Sequence, residues 1–274
     1  MLSADLGLPF LTLAAGGIAL LAYALAALRS PRTVHALRWA LAVGWVAHAL
    51  ALVLDTAGSG LHGARFGFAP ALSATLWLVL AVYAIESRFV PLPGVQRWLA
   101  ALGAAAVLLM LAFPGEVRAH ADSPWMPLHW VLGIASYGLF GAAVLHAGLL
   151  SHAERQMRIR RGVLPPAPLG MPLLRVEKLT FRFVAAGFVV LSAALVLGWW
   201  FADPWRWDHK TVFSILAWAV FAGLLAGRRA FGWRGRMATR WLYTGAGLLL
   251  LAYVGSRFVM EVLLHRTVSV GAAS

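Results

Sequence analysis

Charge-poor apolar runs of about twenty residues recur from one end of this chain to the other, and that recurrence limits what it can fold into. Each run is long enough to cross about 30 Å of hydrocarbon as a helix. Alternating strands of about ten residues, the signature of a membrane barrel, are absent from the sequence. With 61% hydrophobic and 12% charged residues, the chain has too little polar surface to clothe one soluble core. The expected fold is all-α: a polytopic membrane bundle of about eight transmembrane helices.

The expected spans are 8–28, 37–54, 71–89, 95–113, 127–150, 179–201, 211–227 and 238–264. Most of the 23 Lys and Arg residues fall in the connections after the first, third, fifth and seventh spans. Arg29, Arg32 and Arg38 follow the first, and Arg228, Arg229, Arg234, Arg236 and Arg240 the seventh. Positive loops stay on the cytoplasmic side, so both termini and the even-numbered connections are expected outside. Topology accounts for the net charge of +13, and no basic domain is left over for nucleic acid. The chain reads as a single transmembrane domain over 1–274. Residues 151–178, with Pro165, Pro166, Pro168 and Pro172 after a basic start, form a cytoplasmic linker within it. Asp5 and the lack of Lys or Arg in the first seven residues do not fit a cleaved signal peptide, so the first span is expected to be retained.

Residues 198–210 are the most unusual connection. Trp199, Trp200, Trp205 and Trp207 stand there beside Asp203, Arg206, Asp208, His209 and Lys210. Tryptophan suits a membrane boundary, where its ring meets apolar surroundings and its N–H meets water. Two readings stand: an interfacial belt with solvated charges, or a cover for a flat, apolar, anionic ligand such as a porphyrin with two propionates. With no cysteine in the chain, a haem could only be noncovalent, and thiolate metal sites and thiol redox chemistry are excluded.

Histidines inside spans are costly and are functional candidates by default. His48, in the outer half of the second span, and His129, at the outer start of the fifth, share a depth. Two imidazoles at one depth on different helices suit axial ligation of one haem iron; the alternative is core histidines bonded to backbone carbonyls. His146 lies too far along the same helix from His129 to serve that iron, and reads as structural or as part of a second, inner site. Arg257 stands one turn from Glu261, so it either pairs along the helix or meets a propionate. No phosphate loop, His-Glu-x-x-His or serine elbow occurs, which argues against a hydrolase or nucleotide-driven pump.

Four tracts carry a family likeness: Pro127-Leu-His-Trp followed by Ala135-Ser-Tyr137, residues 199–213, Gly232-Trp-Arg-Gly-Arg236, and Ala252-Tyr-Val-Gly-Ser-Arg257. Together they resemble the CcsA/CcmC/HemX-like cytochrome c assembly superfamily, nearest its small inner-membrane YpjD branch. The resemblance is fullest from Pro127 onward. It implies a bacterial inner (plasma) membrane protein that handles haem at its outer face, beneath a tryptophan-rich segment and with histidine ligands. On that resemblance His129 is an iron ligand, and Trp199, Trp205, Trp207, Asp208 and Lys210 belong to the haem-covering segment. This chain departs from the assembly-protein pattern Trp-Asp-Pro-Lys-Glu with Trp207-Asp-His-Lys210 and then Thr211. The second external histidine also lacks a match: Leu264 takes its place by spacing, with His265 one residue on.

The expected function is therefore non-enzymatic: noncovalent haem b held near the outer face and passed to a membrane or periplasmic assembly partner, in cytochrome c assembly or haem homeostasis. Expected site residues are His48 and His129 on the iron, with Trp199, Trp205, Trp207, Asp208, Lys210 and Arg257 around the macrocycle. The alternative is a scaffold or regulator that keeps the fold without the ligand.

Overall fold

A computed structural model describes residues 2–28, 34–57, 64–87, 93–118, 125–159, 173–201, 207–259 and 262. Seven helices among them are long and apolar enough to cross a membrane: α1 (Leu2–Leu28), α2 (Val34–Ala57), α3 (Phe68–Glu86), α4 (Pro93–Ala112), α5 (Met126–Ile159), α6 (Leu173–Phe201) and α7 (His209–Phe231). An eighth follows as α8 (Gly235–Leu250), a π-helical turn (Leu251–Gly255) and α9 (Ser256–Phe258), which run on without a break. The all-α membrane bundle expected from the apolar runs is what the chain forms.

Two details differ from the expectation. Helices α5 and α6 reach well into the expected linker at 151–178, to Ile159 and from Leu173. The stretch Ser-His-Ala-Glu-Arg-Gln-Met-Arg is polar yet rich in strong helix formers, so the end of the apolar run marks where the helix leaves hydrocarbon, not where it stops. Its Pro-rich centre lies outside the described residues. The second difference is a pair of three-residue strands, β1 (Ala64–Phe66) and β2 (Glu116–Arg118), antiparallel with Arg65 opposite Val117. Segments that short carry no legible alternation.

The strands join the α2–α3 and α4–α5 connections at one end of the bundle. Arg257 of α9 pairs with Glu116 of β2 at 3.5 Å, and Leu8 of α1 and Pro114 line one cavity. The described ends of α1 and α9 therefore both lie at this strand-bearing end. At the opposite, basic end Arg97 donates to the Ala27 carbonyl, and Glu177 holds Arg228 at 3.0 Å and Arg234 at 3.4 Å.

Lipid is as apolar as the helices, so close packing and buried polar contacts hold such a bundle together. Helices α1 to α4 pack around the Tyr23 ring, seated where Gly44 and Gly103 leave room; a Cβ at either glycine would come within 2.8 and 3.0 Å of it. Helices α5 to α8 pack around Phe140 and Phe221, stacked at 3.8 Å. Gly245 fits against Phe221 in the same way. Helix α5 joins the halves through α3, where Gly138 and Gly141 admit Leu78 and Val79.

Candidate functional site

Helix α5 carries His129, Gly133 and Tyr137 at every fourth residue, and α6 carries Leu191, Ala194, Leu195 and Gly198 at three- and four-residue steps. Each set lies along one face. Between those faces, near the strand-bearing end, is a cavity of about 130 Å³ whose walls are mostly apolar. Helices α3 and α7 and the π turn close it with Thr75, Lys210 and Tyr253.

His129 is set by two contacts from α6. Its Nδ1 lies 2.9 Å from the Ala194 carbonyl; a carbonyl only accepts, so Nδ1 carries the proton and the lone pair of the neutral ring is on Nε2. Behind the ring stands Gly198, where a Cβ would meet Cε1 at 2.9 Å. That glycine gives the half-buried imidazole its position. A histidine oriented by a backbone carbonyl through one nitrogen is the usual arrangement for metal ligation by the other.

Lys210 enters the cavity from the first turn of α7, its Nζ 5.8 Å from the Tyr253 ring centroid. Asp208 caps that helix, accepting the Thr211 N–H at 2.8 Å. Its carboxylate, expected at the cofactor, starts α7 through this contact and so aims Lys210. At the far end of α7, Gly232 takes the left-handed conformation (φ 66°) and returns its N–H to the Arg228 carbonyl.

Tyr137 and the π turn escaped the sequence reading. The Tyr137 hydroxyl donates to the Leu249 carbonyl, just before the turn, and ties α5 to the last span beside the cavity. Such turns recur at functional sites. The two four-residue steps from His129 through Gly133 to Tyr137 were the signal available in the sequence.

His48 requires a correction. It is fully buried in the front half, with Nε2 2.7 Å from Ser73 Oγ and Nδ1 3.3 Å from Tyr23 Oη, and it does not line the cavity of His129. Equal depth on two helices placed the residues at one level but not in one space. Both ring nitrogens of His48 are committed to hydroxyls, so the structure does not bring it to a shared iron with His129. His146 is likewise structural: Nε2 meets Glu86 at 2.8 Å and Nδ1 the Ala142 carbonyl at 2.7 Å, tying α5 to α3.

Trp199 and Trp207 are exposed at the ends flanking the α6–α7 connection; Trp205 lies outside the described residues, as do Glu261 and His265. Arg257, expected to meet Glu261 or a propionate, has Glu116 as a partner. Among the described residues no three His, Cys, Asp or Glu side chains gather as a cage for a bare metal ion. A haem iron asks less, because its macrocycle supplies four donors. The residues present would suit haem: His129 would hold the iron, and Lys210, which lines the cavity, is a cation of the kind that carboxylates seek. The fit is not that of a closed mould: about 130 Å³ is well under the ~300 to 1,000 Å³ of an enclosed site for a drug-sized ligand.

A family described as cytochrome C assembly protein matches residues 36–264. The chain is 30% identical over 234 residues, 82% of this chain and 85% of the relative, to an "Uncharacterized 28.8 kDa protein in nifR3-like 5'region" of Azospirillum brasilense. It is 29% identical over 231 residues, 81% and 85% of the two chains, to Inner membrane protein YpjD of Escherichia coli (strain K12). A more distant relative is Cytochrome c biogenesis protein CcsA of Prochlorococcus marinus, 23% identical over 221 residues, 67% of this chain and 69% of that one. No solved structure matches the chain. The family pattern runs from the start of α2 through α9 and takes in the His129 cavity, the α7 cap and the π turn together; this multi-pass membrane protein belongs to the cytochrome c assembly family.

Proposed function

We propose that the protein handles haem b noncovalently at its strand-bearing end, with His129 as the iron ligand it supplies, and delivers it to an assembly partner in cytochrome c biogenesis or haem homeostasis. The observation that carries this reading is the setting of His129: Nδ1 on the Ala194 carbonyl, Gly198 behind the ring, and Nε2 as the basic nitrogen of a residue that lines a cavity. Bound there, a haem would supply redox and ligand-exchange chemistry of its own. The chain's part is to orient the imidazole, to offer apolar walls to the macrocycle, and to bring Lys210 and Arg257 toward carboxylates. Exposed Trp199, Trp200 and Trp207, in the chain next to Gly198 and Lys210, extend the apolar surface on which the ring rests where the cavity is too small for it. A covalent attachment step would have to use partner thiols, since this chain has no cysteine.

The likeness to an inner membrane protein and the basic residues of the opposite end support a bacterial inner-membrane location with the His129 end outward. A reporter fused after Arg236 that read external would invert that orientation. The test of the function is colour. Protein purified in detergent after haem-sufficient expression is expected to show a Soret band that a haemochrome assay assigns to noncovalent haem b. A colourless, folded protein that also fails to take up added haemin would sink the proposal and leave a scaffold that has kept the fold.

A further inference from the structure

Helices α2 and α3 meet at His48 and Ser73 and, about one turn nearer the basic end, at a pair of tryptophans. Trp45 and Trp77 stack there at 4.6 Å, and each indole N–H donates to the other residue's carbonyl, at 3.1 and 3.0 Å. This double latch divides the crevice between the helices into two grooves. The half toward the strand-bearing end, about 440 Å³, is lined by aliphatic side chains, Trp77 and Thr56, with no charged residue among those described. The half toward the basic end is larger, about 690 Å³, and runs from His35, Arg38 and Gln96 down past Val46 and Leu80 to Trp45.

We propose that this second groove is a binding site for an anionic glycerophospholipid, its phosphate held at Arg38 and His35 and one acyl chain laid along the apolar floor to the Trp45–Trp77 latch. Three observations bear on the occupant. First, dimensions: from Arg38 to Val46 α2 rises about 12 Å, most of the ~15 Å depth of one leaflet, so the groove has the length of a chain in that leaflet. Second, depth: Trp39 and Trp98 are exposed at 73% and 75% on neighbouring helices and mark the headgroup level, where Arg38 then stands. Third, polarity: Gln96, only 7% exposed, lines the same groove as Arg38, and a carboxamide there can donate to a phosphate or glycerol oxygen. Basic crevices between helices at the cytoplasmic surface recognise anionic headgroups on this same logic. The site is separate from His129 and does not depend on haem.

The test is lipid retention by the full-length protein, reconstituted in phosphatidylcholine vesicles with or without phosphatidylglycerol, extracted in mild detergent and analysed by native mass spectrometry. Wild-type protein is expected to keep phosphatidylglycerol over phosphatidylcholine by about fivefold, the factor a single well-placed cation supplies. Arg38→Gln should abolish the preference. Ala42→Trp, which fills the groove with Arg38 intact, should lose retained lipid of both kinds; Ala84→Trp makes the same test from α3 if the first variant folds poorly. Equal retention of the two lipids by wild type, a preference that survives Arg38→Gln, or lipid retained by both tryptophan variants would overturn the proposal. Displacement of the lipid by free glycerol phosphate alone would assign the site to a soluble anion and overturn it equally.

Discussion

His48 and His129 stand at similar depth on different helices, yet the two halves of the bundle treat them oppositely. In the front half the imidazole fills a fully buried gap, and both nitrogens go to hydroxyls, Tyr23 and Ser73. In the back half one nitrogen goes to the Ala194 carbonyl and the ring borders a cavity. A fully buried histidine between two hydroxyls is part of the packing, whereas a histidine in the wall of a cavity stands where a ligand can reach it. Depth alone does not separate the two cases. The partners on α1, α3 and α6 do.

The comparison is sharpened by removing each histidine's surroundings in turn. The largest stability effect is expected for His48→Ala, which strips two buried hydroxyls of their partner and opens a hole against Tyr23: a loss of about 1 to 3 kcal/mol, read as a lower unfolding midpoint in detergent, with haem content unchanged. If stability holds and haem falls instead, the contrast between the halves collapses. Gly198→Ala acts on the other half. The added methyl would lie 2.9 Å from His129 Cε1 and must push the ring, so haem recovery should fall several-fold at matched protein levels, with a stability cost of about 1 to 3 kcal/mol at most. Unaltered haem affinity in Gly198→Ala would mean that α6 does not set the imidazole. A smaller effect belongs to Asp208→Ala. Loss of the α7 cap should cost about 0.5 to 2 kcal/mol, and Asp208→Ser should restore stability and haem together, because a hydroxyl caps as well as a carboxylate. Failure of serine to restore haem would return the Asp208 carboxylate to the ligand site.

Much of the fold was legible because a bilayer imposes it: apolar length sets the spans, and nothing but helix satisfies the backbone there. Helix ends were less legible where the chain leaves hydrocarbon but keeps helical propensity, as from Ser151 to Ile159. At the candidate site, His129 and Lys210 were singled out from the resemblance and, for His129, from depth, and they line one cavity. Tyr137, Gly198 and Tyr253 were missed although each sits in a tract already singled out, because their roles depend on which helix faces meet. His48 was expected beside His129 and lies apart from its cavity for the same reason: one sequence shows the level of a residue but not its neighbours across the bundle. Asp208 shows a further limit, since a carboxylate beside tryptophans looks the same in sequence whether or not it begins a helix, and only the structure shows its 2.8 Å contact with the Thr211 N–H.

The central claim is that His129, and not His48, supplies the iron ligand. The most direct measurement is the absorption spectrum of haem-loaded His129→Ala beside that of haem-loaded His48→Ala, at matched protein and after removal of unbound haem. The account predicts at least a tenfold loss of the Soret band in His129→Ala, about the range that loss of even an outer-shell partner of a metal-bound histidine reaches, and a wild-type spectrum in His48→Ala. Equal Soret bands in the two variants, or a loss confined to His48→Ala, would contradict it.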